Sequence, residues 1–197
     1  MKYIFAFSLF VVGCFLKNEK SDPYDQYRNL PSYLSNYYLN DDTVSLNNAY
    51  QLLETNQDFN KKGLTDYNYR IVLPILFHLK KYDEILFLVE NENFLEKHDK
   101  QIIINVTKYL NAPLEKKDSS IIYIQRNIQL TLEQIEKEPM DSLILIEYFS
   151  NILFIEGLDS TLEKIDSFKV QNPQFSNSYY ENTLKDAVIS YYNYFVE

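Results

Sequence analysis

The sequence predicts an all-α protein made of antiparallel helix pairs, arranged as a repeat array or an irregular helical bundle. Two observations carry that expectation. Apolar residues recur at intervals of three and four along most of the chain beyond residue 30, the spacing that lines one face of a helix. Asp, Ser or Pro heads most of these runs, where a side-chain oxygen, or the fixed φ of Pro, suits a first helical turn. At 197 residues the chain is large enough to bury a core without covalent staples, and one domain is the default.

The chain opens on MKYIFAFSLFVVGCFLK. Lys2 supplies a positive start, residues 3–12 are apolar apart from Ser8, and small Gly13 follows; this is the pattern of a secretory signal peptide. Even extended to Leu16, the apolar stretch is shorter than the roughly 18 residues that span a bilayer. Val11-Val12-Gly13-Cys14 resembles the lipobox of bacterial lipoproteins. The resemblance implies cleavage between Gly13 and Cys14, a diacylglycerol thioether on Cys14, and acylation of the new amino terminus. Each buried CH₂ contributes about 0.8 kcal/mol, so two or three acyl chains on one residue hold a protein at a membrane where one chain would not. Cys14 is the only cysteine and stands where lipid transfer requires it; the alternative is a small apolar residue in a plain signal peptide or a buried first helix. Lys17 and Glu19 are similar to the Lys-plus-acid signals that send lipoproteins of the Bacteroidota to the cell surface, although Phe15, Leu16 and Asn18 depart from them. The expected divisions are a signal peptide over 1–13, the lipidated cysteine and a polar tether over 14–22, and a single helical domain over 23–197.

Asp22 and Pro23 begin a short helix ending near Asn29, and Pro31 begins one carrying Tyr33, Leu34, Tyr37 and Tyr38. Asp42 caps the next, with Val44, Leu46, Tyr50, Leu52 and Leu53 as its apolar stripe and 56–63 as the following loop. Thr65 and Asp66 open a helix whose inner face is Tyr69, Val72, Leu73, Leu76 and Leu79. Pro74 is expected to kink it, because its missing N–H removes a ladder bond. Residues 80–83 turn the chain into a helix over 84–90 that buries Ile85, Leu86, Leu88 and Val89.

Over 99–110, Ile102, Ile104 and Val106 alternate as in a strand, while Ile102, Ile103, Val106, Tyr109 and Leu110 follow helical spacing. The helical template accounts for more positions, so a helix is expected. Asp118 or Ser119 opens a long helix to Glu138 with Ile121, Ile124, Ile128, Leu132 and Ile135 inward. Asp141 opens the most apolar helix, 143–155, too short for a membrane and apolar nearly all round, hence expected at the centre of the fold. Gly157 ends it, Asp159 begins its partner through Val170, and Pro173 closes the unit. The last helix runs over 178–195 with Leu184, Val188, Tyr191 and Phe195 inward. The helix–turn–helix around Tyr82, Glu84 and Ile85, and the 34-residue step from Pro139 to Pro173, resemble tetratricopeptide repeats, without the glycine, Trp and Ala of that signature. The resemblance implies an array with a concave protein-binding face.

The net charge is −9, and loss of residues 1–13 removes one cation, Lys2, and takes it to −10. No basic stripe of the kind that holds a phosphate backbone is present, so nucleic acid is not an expected partner. With glycines only at 13, 63 and 157, no loop can wrap backbone amides around a phosphate, which excludes the nucleotide fingerprints and any cofactor they would hold. His78 and His98 are the only histidines and neither has an acid at metal-ligand spacing, so each is expected at a helix surface or boundary. Asp58-Phe59-Asn60-Lys61-Lys62-Gly63 imitates the start of a calcium loop, but Lys62 takes a ligand position and Tyr69 stands where the closing Glu belongs. No metal is expected.

Paired acids such as Asp83 with Glu84, or Glu136 with Glu138, occupy capping or solvated positions, and no serine sits in a nucleophile elbow. Asp42-Thr43-Val44, Asp141-Ser142-Leu143 and Asp159-Ser160-Thr161 are similar to an O-glycosylation motif of exported Bacteroidota proteins, but all coincide with expected helix starts, so capping is the preferred explanation. Tyr179, Tyr180, Tyr191, Tyr192 and Tyr194 have helical spacing that favours core packing for at least half of them over sugar stacking or a protein interface. The expectation is a non-catalytic lipoprotein, not an enzyme, lipid-anchored in the cell envelope at the outer membrane and binding another envelope protein. The alternatives are an immunity lipoprotein that neutralises a toxin, a carboxylate-dependent enzyme, and a glycan-uptake accessory.

Overall fold

The computed structural model describes residues 29–55, 66–91, 95–139 and 141–196, and of residues 66–68 only the backbone. Every regular element among them is helical, as the apolar spacing predicts. The helices are α1 (Leu30–Asn40), α2 (Thr43–Thr55), α3 (Asp66–His78), α4 (Tyr82–Asn91), α5 (Lys97–Asn111), α6 (Lys117–Lys137), α7 (Ser142–Gln171) and α8, which spans 177–195. The expected signal peptide, tether, first short helix and loop over 56–63 lie outside the described residues. Among those described, no helix is long and apolar enough to cross a membrane. The chain divides into two compact units, whose described parts are residues 29–100 and 101–196.

In the first unit, α1 pairs with α2, while α3 packs on both and pairs with α4. Asp42 caps α2 as expected: its Oδ1 accepts from the N–H groups of Val44 (3.0 Å) and Ser45 (3.2 Å). A bond from the Ser45 hydroxyl to Oδ2 (2.6 Å), aided by these two backbone bonds, holds the Asp42 carboxyl below its usual pKa. The apolar stripe of α2 differs from the expected one, because Leu46, Ala49 and Leu53 are buried while Val44 is 65% exposed. Val44 lies in the first turn, one position off the 46–49–53 face. The helix buried all round in this unit is α3, with Tyr69, Ile71, Val72, Leu73, Ile75 and Leu76 all inside. It continues through Pro74 to His78 without ending there; four of its aliphatic side chains next to Pro74 are buried, each contributing about 1.5–3 kcal/mol against a proline cost of about 3 kcal/mol.

The α3–α4 turn closes without glycine. Lys81 N–H donates to Leu76 C=O (2.9 Å) and Lys80 N–H to Phe77 C=O (3.0 Å), the paired bonds of a Schellman turn. That turn needs a left-handed residue, and Lys80 takes the position at φ 56°. A side chain there costs about 1 kcal/mol relative to glycine.

In the second unit, α7 packs against α6 and α8. Asp141 caps α7 through Leu143 N–H (2.7 Å) and Ile144 N–H (3.2 Å). Leu145, Ile146, Phe149, Ile152 and Leu153 are buried, so the stretch expected at the centre is at the core of this unit. Gly157 has φ 77° and ψ 175°, a conformation essentially restricted to glycine, and folds α7 back on itself. The rings of Phe149 and Phe168 meet at 5.7 Å, whereas nineteen residues of unbroken helix would hold them about 28 Å apart. Gly157 is the non-helical residue just before the returning arm, and its carbonyl accepts the Thr161 hydroxyl at 2.7 Å. Asp159 therefore stands inside the first turn and makes no cap, contrary to the expectation that it starts that helix.

The two arms and α8 enclose Ile146, Phe149, Ile165, Tyr180, Leu184 and Val188, with Tyr179, Tyr191 and Tyr192 packed around them. Ser176, two residues before the expected start, caps α8 by accepting from Tyr179 N–H (3.0 Å). The helix widens to a π-turn over Tyr180–Leu184, where the buried Tyr180 donates its hydroxyl to the Asn172 carbonyl at 2.7 Å. Lys185 joins Asp166 (2.6 Å) and Glu181 (3.2 Å) at the rim of this core.

The two turn residues predict opposite effects of substitution. Gly157→Ala meets no atom within 4 Å, so its cost is backbone strain alone: a loss of about 1–3 kcal/mol in urea unfolding. Lys80→Gly is expected to raise stability by about 1 kcal/mol, and a lower urea midpoint would contradict the left-handed turn.

Candidate functional site

Of the residues the sequence marks for chemistry, Gly13, Cys14 and the calcium-like segment 58–63 lie outside the described residues. The rest do not converge. Tyr69 is in the core of the first unit. Glu84 accepts the Tyr50 hydroxyl at 2.7 Å and lies 3.8 Å from Lys81, whose ammonium sits 4.1 Å above the Tyr50 ring. Burial, then the hydrogen bond to Glu84, push the Tyr50 phenol up, so it stays protonated and serves as a donor. Asp83, Glu136 and Glu138 are solvent-exposed. Among the described residues no three His, Cys, Asp or Glu side chains cluster as a metal site would need.

His78 sits at the C-terminal end of α3. Its Nε2 lies 3.0 Å from the Tyr38 hydroxyl, and the rings of Tyr37 and Tyr38 stand 4.7 Å and 5.4 Å from its own. Burial among these rings lowers its pKa to about 4, so it is neutral at physiological pH. It holds α1 to α3 and remains at a boundary, as expected.

A concave feature of the second unit lies between α5 and α6. It is an open groove of about 730 Å³, to which α5 contributes Gln101 and Asn105, and α6 contributes Ile122, Gln125, Arg126, Gln129 and Leu130. Its polar wall is a relay of carboxamides. Gln101 Nε2 donates to Asn105 Oδ1 (3.0 Å), Asn105 Nδ2 to Asn127 Oδ1 (2.8 Å), and Asn127 Nδ2 to the Ile102 carbonyl (3.0 Å). Asn105 and Asn127 are 1% and 0% exposed, so this bond joins the two helices away from water.

These asparagines lie on faces that differ from the expected ones. Asn105 and Thr107 on α5, and Ser120, Asn127 and Thr131 on α6, are buried, while Ile121, Ile128, Leu132 and Ile135 are only half-buried. The hydroxyls need no partner across the interface: Thr107 donates to Ile103 C=O at 2.7 Å and Thr131 to Asn127 C=O at 3.0 Å, each within its own helix. Small self-satisfied residues therefore occupy the inner faces, and Ile122 turns outward at 43% exposure. Gln125, Arg126 and Gln129 are exposed on the groove side of α6. Among the described residues Arg126 meets no carboxylate; its guanidinium carbon lies 5.9 Å from the Tyr123 ring centre. The repeated carboxamides at Gln101/Asn105 and Gln125/Gln129 are each four apart, a helical-face signal present in the sequence, but nothing in the sequence says that the two faces adjoin.

The asparagine pair and His78 each carry a stability prediction. Asn127→Leu leaves Asn105 buried without its acceptor and is expected to cost about 2–3 kcal/mol, whereas the double variant Asn105→Leu/Asn127→Leu recovers most of that loss; purely additive single effects in a double-mutant cycle would contradict the coupling. For His78, the folded-state pKa near 4 lies below the unfolded value of about 6.5. The unfolded chain takes up the proton first, so stability is full above pH 6.5 and falls as pH drops toward 4. With part of the ring still near solvent, the loss is on the order of 2 kcal/mol, and His78→Gln is expected to flatten the urea-midpoint profile between pH 6.5 and 4.

The chain matches no protein-family model, no curated protein and no solved structure.

Proposed function

We propose that the protein is a non-catalytic binding module of the cell envelope, held at the outer membrane by lipid on Cys14 and engaging another envelope protein through its helical domain. The observation that carries the binding half is the groove between α5 and α6, which exposes Gln125, Arg126 and Gln129 with no carboxylate among its lining residues. Helices that leave polar donors and an uncompensated cation exposed beside Ile122 and Leu130 suit recognition of a macromolecular surface. The groove is open to solvent, whereas small-molecule sites enclose most of their ligand. The anchoring half rests on the sequence: the apolar run 3–12, small Gly13, and the lone Cys14 after Val11-Val12-Gly13.

Two measurements test the halves separately. Cys14→Ala is expected to abolish incorporation of labelled fatty acid and to move the protein from the membrane to the soluble fraction; persistent labelling would refute the anchor. Crosslinking of intact cells bearing a tagged copy is expected to join the protein to one envelope partner reproducibly. Absence of any specific adduct from crosslinkers of several lengths would refute the binding role.

A further inference from the structure

We propose that the α5/α6 groove docks an extended, carboxylate-bearing segment of the partner protein, a step that rests on the binding role above. Arg126 would take the carboxylate, and the amides of Gln101, Gln125 and Gln129 would take the segment's main-chain N–H and C=O groups.

The charge pattern is the first support. The chain has 28 acids against 19 Lys and Arg, yet the groove lining contains Arg126 and no acid. Lys108 lies seven residues beyond Gln101, two helical turns along the same side of α5, and has no ion-pair partner among the described residues. Asp118, one turn before Ile122, and Glu133, one turn past Gln129, stand in line on α6 beyond the two ends of the groove, so Arg126 is the one charge within the lining. A segment carrying one carboxylate near Arg126 complements that cation; a basic segment would meet repulsion there.

The second support is the chemistry of the wall. A carboxamide both donates and accepts, which matches the alternating N–H and C=O of an extended backbone. Gln125 and Gln129 are one turn apart on an exposed face and have no hydrogen-bond partner among the described residues. Asn105 is held by the bond to Asn127 and in turn accepts from Gln101, so that side of the wall is preset before a ligand arrives. Ile122 and Leu130 add apolar contact at either end.

The test uses twelve-residue random peptides displayed on phage and selected against the purified full chain at low salt. Enriched peptides are expected to carry Asp or Glu, and replacing that acid by its amide should weaken binding about tenfold or more, the scale of a charge-assisted hydrogen bond. Arg126→Gln should cause the same loss, Arg126→Lys a smaller one because the forked geometry goes while the charge stays, and Lys137→Gln at the far end of α6 none. Circular dichroism of each variant establishes that the helices are intact. Recovery of no peptide, of peptides without acid enrichment, or of peptides that bind Arg126→Gln undiminished would overturn the proposal. If cells still show a crosslinked envelope partner when Arg126→Gln is introduced, the groove assignment falls and the binding role stands; if no partner is captured with the unaltered chain, both fall.

Discussion

The hydrogen bond between Asn105 and Asn127 is the constraint on which the second unit depends. Two carboxamides removed from water must find each other, because a stranded amide in a low-dielectric interior costs about 1–3 kcal/mol. A slip of α5 against α6 by one turn would separate the two carboxamides and break the bond that satisfies both. The pair therefore sets the register of the two helices more sharply than apolar contact alone, as polar residues in otherwise apolar seams do in coiled coils. Register in turn decides that Gln101 lies across from the Gln125–Gln129 face, and so decides the form of the groove.

Much of the fold was legible because helix termini have local causes. Asp42 and Asp141 cap where a short acceptor side chain precedes an apolar run, and both do so through the same two N–H groups of the first turn. Gly157 breaks α7 because its φ and ψ are closed to other residues. The helical nature of 97–111, ambiguous against a strand over part of its length, followed from counting which template explained more apolar positions. Each of these depends on a few adjacent residues, which is what a sequence displays.

The inner faces of α5 and α6 were not legible, for a physical reason. Apolar spacing assigns the inside to isoleucines, but hydroxyls of Thr107 and Thr131 that bond carbonyls of their own helices can be buried at little cost. Ile102 and Ile124 are buried as the spacing predicts, but Ile121, Ile128, Leu132 and Ile135 stay half-covered on the flanks. The same rotation brings Ile122 and the glutamines outward, so the groove follows from an interface that a hydrophobicity pattern reads one step out of phase. Asp159 shows the converse: its sequence context matches a cap, but the helix resumes directly after Gly157, so Asp159 lies inside its first turn.

The overall acidity and the cationic groove act at different distances. At physiological salt the Debye length is about 8 Å, so the −9 charge of the whole chain is largely screened before an acidic segment comes within reach. Inside that distance the nearest fixed charge decides, and within the groove lining that charge is Arg126. At low salt the screening length rises to about 30 Å at 0.01 M, and the net charge then opposes approach even where the contact itself is favourable. Association of an acidic segment would thus have opposing salt terms, a slower approach and a stronger contact at low ionic strength. A basic segment would gain from the net charge at low salt and lose on reaching Arg126. The discrimination between the two therefore resides in the short-range contact, which slows or speeds dissociation, rather than in long-range steering.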